Sequence, residues 1–141
     1  MSNFDFINFV NLLKEGRQDL TRELMTSAGL TMTVRYTHED VFERVRKQTD
    51  HIGNPEARRL AVRKALRKRL AESVVDWDLT PEILGRYLPV DTSSLPQSIP
   101  CEPGIVEGLI ETSDVFAAEL QAAITDLAAF RAGQAEEERK N

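Results

Sequence analysis

The N-terminal hydrophobic residues recur at the spacing of one helical face. They are Phe6, Phe9, Val10 and Leu13. Ser2 stands three residues ahead of Asp5, which is the arrangement of a weak capping box. Gly16 follows these positions, and glycine commonly ends helices. The pattern therefore predicts a short helix that stops near Gly16.

The next stretch changes from helical to strand-like spacing. In LTMTVRY, apolar residues alternate with threonine and arginine, as in a strand with one buried face. LTRELMT, upstream, is similarly rich in Leu and Thr, and the intervening SAG supplies a glycine-containing turn. We predict a β-hairpin with arms at residues 20–26 and 31–37. A helix is the alternative for the first arm, because Arg22, Glu23 and Leu24 also suit one.

Two capping signals place helices in the middle of the chain. Thr37 precedes two acids that would fall in a first helical turn, which predicts a capped helix to about Asp50. Asn54 with Pro55 at the first helical position predicts the next helix, which we extend to about Val75. Apolar side chains recur every four residues along this second helix, at Val62, Leu66, Leu70 and Val74.

A proline-rich stretch separates two parts of the chain. Thr80, followed by proline, predicts a short helix at residues 81–88. Residues 89–103 hold most of the prolines and several serines, which predicts a loop. We therefore divide the chain into residues 1–88, with the hairpin and a helical core, and residues 104–141, with a C-terminal helix and a charged tail.

The most regular hydrophobic pattern lies between Gly104 and Gly133, and only Ser113 breaks it. Its positions are Val106, Leu109, Phe116, Leu120, Ala123, Leu127 and Phe130. The pattern predicts a long amphipathic helix, with a division into two helices at residues 112–114 as the alternative, and a frayed tail AEEERKN. The fold class follows: mainly α, a small helical domain with an N-terminal β-hairpin and a long amphipathic C-terminal helix.

Composition agrees with a globular helical domain. Hydrophobic residues make up 41% of the chain and aromatics only 6%, so we expect an aliphatic core. No apolar run approaches the roughly 18 residues of a membrane span, and the N-terminus lacks a signal-peptide pattern, so we expect no membrane association. The single cysteine, Cys101, excludes an internal disulfide and fits a reducing cytoplasm; we interpret it as a loop thiol.

Opposite charges are segregated along the chain. Residues 41–72 carry ten Lys/Arg and four Asp/Glu, whereas residues 102–141 carry three and nine. Within the basic segment, Arg59, Arg63 and Arg67 form a ridge beside the apolar stripe. Guanidinium groups in this position favour pairing with carboxylates, and the acidic C-terminal half can supply these within one chain or between copies, as can a partner. A solvated face and nucleic-acid binding are the alternatives, and nucleic acid is the least favoured because the cations do not cluster on one exposed face.

The only tryptophan, Trp77, stands between Asp76 and Asp78 in VVDWDLTP. In an extended segment the two carboxylates would point one way and the indole the other. We predict that Trp77 is a structural anchor in the core, where the basic helix gives way to the next. Catalysis by the two aspartates would need a pocket and shifted pKa values, and the sequence indicates neither.

Motifs for chemistry are missing from the sequence. His38 and His51 lie in helix-start and helix-stop contexts without metal-ligand spacing. There is no G-x-S-x-G, no glycine-rich phosphate loop and no HExxH. We therefore expect a protein that is not an enzyme and has no catalytic residue, metal or cofactor.

The order of these motifs carries a family resemblance. A hairpin ending in VRYTHED is followed by a basic helix that runs into VVDWDLTPE, and a proline-rich loop leads to FAAELQAAITDLAAFRAGQAEEERKN. This arrangement resembles the tail-assembly chaperones of long-tailed bacteriophages over most of the chain, most sharply at VVDWDL and the ERKN terminus. Where that family often has a Gly-containing turn and a PLP-like stretch, this chain has LTPEILGRYLPVDTSSLP.

The resemblance implies a small non-enzymatic factor of the host cytoplasm that is absent from the mature virion. Such proteins bind the tape-measure protein, keep it soluble and help to recruit tail-tube subunits. The candidate protein-binding residues are Arg59, Arg63, Arg67, Leu109, Phe116, Leu120, Leu127 and Phe130. Met25, Met32 and the Phe-bearing N-terminus would add adaptable contacts, and the opposed charges predict self-association. The alternatives are a structural virion or head–tail joining component and, less favoured, a nucleic-acid-binding regulator built on residues 58–69.

Overall fold

The computed structural model describes residues 5–18 and 20–140, in which seven helices accompany one three-stranded antiparallel sheet. The helices are α1 Phe6–Gln18, α2 Asp40–Gln48, α3 Pro55–Glu72, α4 Pro81–Tyr87, α5 Pro103–Thr112, α6 Asp114–Thr125 and α7 Leu127–Lys140. The strands are β1 Thr21–Met25, β2 Thr31–Arg35 and β3 Val74–Trp77. The predicted mainly α class with a β-hairpin is confirmed.

The hairpin forms where alternation predicted it, and the helical alternative for its first arm is wrong. β1 pairs with β2 so that Leu24 lies opposite Met32. The turn begins at Thr26, whose N–H donates to the Leu30 carbonyl at 2.8 Å. Gly29 has a φ of +89°, a conformation that side chains disfavour, so the glycine of SAG is needed here.

The third strand, β3, was not predicted. We extended the basic helix to Val75, but α3 ends at Glu72 and the chain then pairs antiparallel with β2. The Ser73 carbonyl accepts the Arg35 N–H at 2.7 Å, at the point where the helix gives way to the strand. Val74 fits the four-residue apolar spacing of a helix as well as a strand, and pairing with β2 decides between them.

Three further helix boundaries need correction, and two predicted helix starts are confirmed. The Asn54 side chain accepts the first free amides of α3, and Thr80 does the same for α4, as predicted. Thr37 does not cap α2, which begins at Asp40. The Thr37 hydroxyl instead forms a hydrogen bond with the Ser73 hydroxyl, with 3.0 Å between the two oxygens. The other two corrections concern glycines that were predicted to end helices. Helix α1 continues past Gly16 to Gln18, and α7 continues past Gly133 to Lys140.

The predicted long C-terminal helix is three helices, α5, α6 and α7. Ser113 separates the first two, and its hydroxyl accepts the Phe116 N–H as the cap of α6. Asp126 separates the next two, and its carboxylate accepts the Ala129 N–H at 3.1 Å. A short polar side chain at each break supplies a cap, which explains why one apolar pattern can run through several helices. Ser2 and Asn141, which belonged to the predicted capping box and to the ERKN motif, lie outside the described residues.

One hydrophobic core joins residues from both sides of the proline-rich loop. On the inner side of the sheet, β2 packs on α6 and β1 on α7, and α3 packs along α5. Its fully buried side chains include Leu30, Met32, Val34, Leu79, Val106, Phe116, Leu120, Ile124 and Phe130. The loop contributes Ile99, which is buried and accepts the Trp77 indole N–H on its carbonyl oxygen at 2.8 Å.

Trp77 is buried at the end of β3, against the edge of Phe116. Trp77→Ala is expected to lower the free energy of unfolding by roughly 3–5 kcal/mol, because a large aromatic contact is lost. Trp77→Phe keeps a ring but leaves the Ile99 carbonyl without its donor, and is expected to cost about 1–3 kcal/mol. Urea denaturation followed by circular dichroism measures both. Val75→Ala, at an exposed neighbour, is the control and should change stability by less than about 1 kcal/mol. An unchanged midpoint for Trp77→Ala would contradict the anchoring role.

Candidate protein-binding surfaces

The C-terminal apolar residues that we expected to face a partner lie in the core of this chain. Leu109, Phe116, Leu120 and Phe130 are at most 4% exposed, and Leu127 is half-buried against the same cluster. In the folded chain these residues therefore belong to the core. Spacing identifies the apolar side of a helix, and here the sheet and the neighbouring helices cover that side.

The basic helix α3 is only partly neutralised by the acidic C-terminal segment. Arg67 is half-buried and its guanidinium meets the Glu111 carboxylate of α5 at 2.8 Å. Arg59 and Arg63 are exposed and form no ion pair within the described residues. Leu60 is 63% exposed and directly adjoins Arg59 in the sequence. The ridge is thus split between one internal ion pair and two cations that face solvent.

Arg22 contacts the C-terminal helices from the inner face of the sheet, and the sequence pattern did not predict this contact. It lies on the inner face of β1, and its guanidinium donates to the Ala123 carbonyl at 3.1 Å. The same group stacks 5.0 Å from the centre of the Phe130 ring. Arg22 therefore ties the first strand to α6 and α7. No local signal marked it, since an arginine between Thr and Glu on a strand is normally expected to face water.

The hairpin turn is held by two helices. The Glu119 carboxylate of α6 accepts both the backbone N–H and the hydroxyl of Ser27. The Arg86 guanidinium of α4 donates to the Ala28 carbonyl at 2.7 Å, and Tyr87 donates to Thr26. Burial raises the pKa of the Tyr87 hydroxyl, against the opposing effect of that hydrogen bond. These contacts fix the turn end of the sheet.

Helix α1 carries the largest group of exposed apolar side chains on any one described element. Phe6, Ile7, Phe9, Leu12 and Leu13 are between 43 and 73% exposed. Asn8 and Asn11 fall on the opposite side of the helix, so the two faces differ in polarity. Asp5 caps the helix, because its carboxylate accepts the Asn8 N–H at 3.1 Å. An apolar face of this kind is typical of a protein–protein contact surface.

The described titratable groups near Trp77 do not gather into a metal-binding cluster. Asp76 and Asp78 are exposed, and each carboxylate accepts a backbone N–H, from Trp77 and Thr31 respectively. Burial, and secondarily the charge of Asp76, raises the pKa of the Cys101 thiol. Across the described residues, no group of three or more potential metal ligands comes together. No helix in the same part of the chain is long and apolar enough to cross a membrane.

Comparisons with known proteins identify no relative of this chain. No family model, no curated protein and no solved structure matches it.

The burial of Leu120 leads to a mutational prediction. Leu120→Asp is expected to unfold the protein, because an unpaired carboxylate at a fully buried position costs several kcal/mol of the roughly 5–15 kcal/mol that stabilise a domain. Ala118→Asp, at an exposed position of the same helix, is the matched control and should leave the melting temperature nearly unchanged. Thermal unfolding by circular dichroism measures both. If Leu120→Asp stays folded but loses protein binding, Leu120 contacts a partner and does not stabilise the core.

Proposed function

We propose that this protein is a tail-assembly chaperone of a long-tailed bacteriophage. It would bind apolar helical segments of the tape-measure protein in the host cytoplasm, keep them soluble and help to recruit tail-tube subunits. It would act without enzymatic activity and would not be retained in the mature virion. The family part of this proposal is supported by the motif order that ends in VVDWDL and the C-terminal helical region.

The observation that carries the binding part of the proposal is the apolar face of α1. Its five exposed side chains belong to one short amphipathic helix. A client helix that laid its own apolar stripe on this face would remove both surfaces from water, at about 25 cal/mol for each Å² buried. The buried C-terminal residues are not accessible for such a contact in the folded chain, so α1 replaces them as the proposed client surface.

Of the two methionines that we expected to contact a client, Met25 and Met32, only Met25 is exposed. Met25 is 70% exposed at the end of β1, where its flexible thioether can adapt to different partners. Met32 lies on β2 and is almost completely buried, so it belongs to the core. We therefore keep Met25 and exclude Met32 as a client contact.

Co-expression with the tape-measure protein tests this function. The double variant Ile7→Gln/Leu12→Gln keeps good helix formers while making two exposed apolar positions polar. We expect at least about a tenfold loss of co-purified soluble client, equivalent to about 1.4 kcal/mol, with an unchanged melting temperature. Asn11→Gln, on the polar side of α1, is the control and should retain wild-type binding. Equal recovery by the double variant would exclude α1 as the client surface.

Mass spectrometry of purified phage particles tests the assignment to a chaperone. The chaperone proposal expects the protein to be absent from mature virions. Abundant copies in the particle would favour the alternative, a structural or head–tail joining component.

Self-association through opposite charges belongs to the same proposal. Arg59 and Arg63 face solvent on α3, and the exposed carboxylates of Glu102 and Asp114 lie at the starts of α5 and α6. Contacts between exposed charges weaken with salt, because the screening length falls to about 3 Å at 1 M. We therefore expect sedimentation velocity to detect oligomers at low salt that dissociate in 1 M NaCl. Arg59→Glu/Arg63→Glu should remain monomeric at low salt, and oligomers unchanged by both treatments would contradict the idea.

A further inference from the structure

The outer edge of β1 presents unpaired backbone groups. The Tyr36 N–H donates to the Leu20 carbonyl, and the Thr26 N–H donates to the Leu30 carbonyl, each at 2.8 Å. In an antiparallel pair the residues that bond to the partner strand alternate, so even-numbered residues of β1 bond to β2. The backbone groups of the odd-numbered residues, which are Thr21, Glu23 and Met25, therefore point away from the sheet.

The three outward residues of this edge have exposed side chains and, in the part of the chain that the structure describes, no hydrogen-bond partner outside the hairpin. Within the described residues, the outward amides and carbonyls of these three positions take part in none of the hydrogen bonds that reach other elements. β1 contains no proline or bulge of the kind that usually protects an edge strand.

The opposite edge of the same sheet is protected. β3 has an irregular register where it pairs with Thr33 and Val34, which twists an edge away from further pairing. The Asp76 carboxylate also accepts the outward-pointing Trp77 N–H at 2.9 Å, so this amide is not free to bond to a further strand. Of the two edges, the regular β1 edge is therefore the one better suited to accept a further strand.

Charge on β1 disfavours a second copy of the chain as that strand. An antiparallel pair centred on Glu23 would place two like carboxylates directly opposite each other. An antiparallel pair centred on Arg22 would place two guanidinium groups opposite each other, and each of them already packs on Phe130 of its own chain. A pair centred on Leu24 would place Thr21 of one copy opposite Ser27 of the other. The Ser27 N–H already donates to Glu119, so few residues are left to pair.

The outer face of the sheet favours a basic partner. Glu23 lies opposite Thr33, and Thr33 lies opposite Asp76, so two carboxylates flank one threonine across the three strands. Arg35 lies opposite Thr21 and is therefore a diagonal neighbour of Glu23 on the same face, but within the described residues no ion pair joins the two side chains. A strand added next to β1 would bring one side chain next to Glu23, where an opposite charge contributes up to about 1 kcal/mol.

We infer that the β1 edge is a strand-addition site for an extended basic segment of a different protein. The segment pairs through its main chain with Thr21, Glu23 and Met25, places a lysine or arginine beside Glu23, and places an apolar side chain beside Met25. The basic residues 58–69 of this chain cannot supply that strand, because they form α3. The inference does not rest on the proposed function, because its hydrogen-bonding groups lie on the backbone of β1 and only Met25 is shared with the proposed client contacts.

An NMR titration of the ¹⁵N-labelled full chain tests the site. The probe is an acetylated and amidated heptapeptide in which threonines alternate with Val, Lys and Val, and the comparison peptide has Glu in place of Lys. We expect saturable shifts of the Thr21, Glu23 and Met25 amides and slower hydrogen exchange at the same three positions. The Glu peptide should bind about two- to fivefold more weakly, as expected for one cross-strand charge pair.

Two variants at Glu23 separate strand addition from other binding. Glu23→Lys should reverse the preference, so that the Glu peptide binds more tightly than the Lys peptide. Glu23→Pro removes an outward N–H that the hairpin does not use, so it should abolish binding while the other hairpin amides keep their shifts. If the proline variant unfolds, the lysine variant alone decides.

Three results would overturn the inference. They are the absence of saturable binding, shifts confined to other elements, and a peptide preference that Glu23→Lys leaves unchanged. Concentration-dependent shifts of the same three amides without peptide would identify a second copy as the occupant and would equally overturn it.

Discussion

The packing of Phe116 against Trp77 holds the structure together. Phe116 is fully buried, with its ring centre 6.4 Å from that of Trp77 and 5.6 Å from that of Tyr87. The Trp77 indole also donates to the Ile99 carbonyl, which draws the proline-rich loop onto the core. These contacts connect β3, α4, α6 and the loop, so the parts of the chain before and after the loop share one core. A few aromatic side chains achieve this because each buries a large area and their edge-to-face pairs add directional attraction.

This shared core determines which surfaces remain for binding. Because the sheet covers the apolar side of α6, residues such as Leu120 stabilise the fold and are not available to a partner. The apolar face of α1, the two solvent-facing arginines of α3, and the outer edge of β1 remain accessible. They differ in chemistry, since one is apolar, one is cationic and one offers backbone hydrogen bonds. Each surface therefore suits a different class of partner.

Features that depend on neighbours in sequence were predictable. Asn54 and Thr80 begin helices as expected, because a cap is a hydrogen bond between residues two or three positions apart. The hairpin follows from alternation of apolar residues together with a short glycine turn. Thr37 shows the limit of this reasoning: it carries the composition of a cap, but contacts with Ser73 and Ile124 use its hydroxyl and its amide. A competing partner distant in sequence is invisible to a local pattern.

The amino-acid sequence by itself determined the helical class, the hairpin, and which positions are apolar. Only the tertiary structure decided that Val74 belongs to a strand, since that strand exists through its hydrogen bonds to β2. It also decided that Phe116 and Leu120 are core, whereas the equally periodic Phe6 and Leu13 of α1 are exposed. The physical reason is that hydrophobic spacing records which side of a helix avoids water. What covers that side depends on elements that chain folding brings together from distant parts of the sequence.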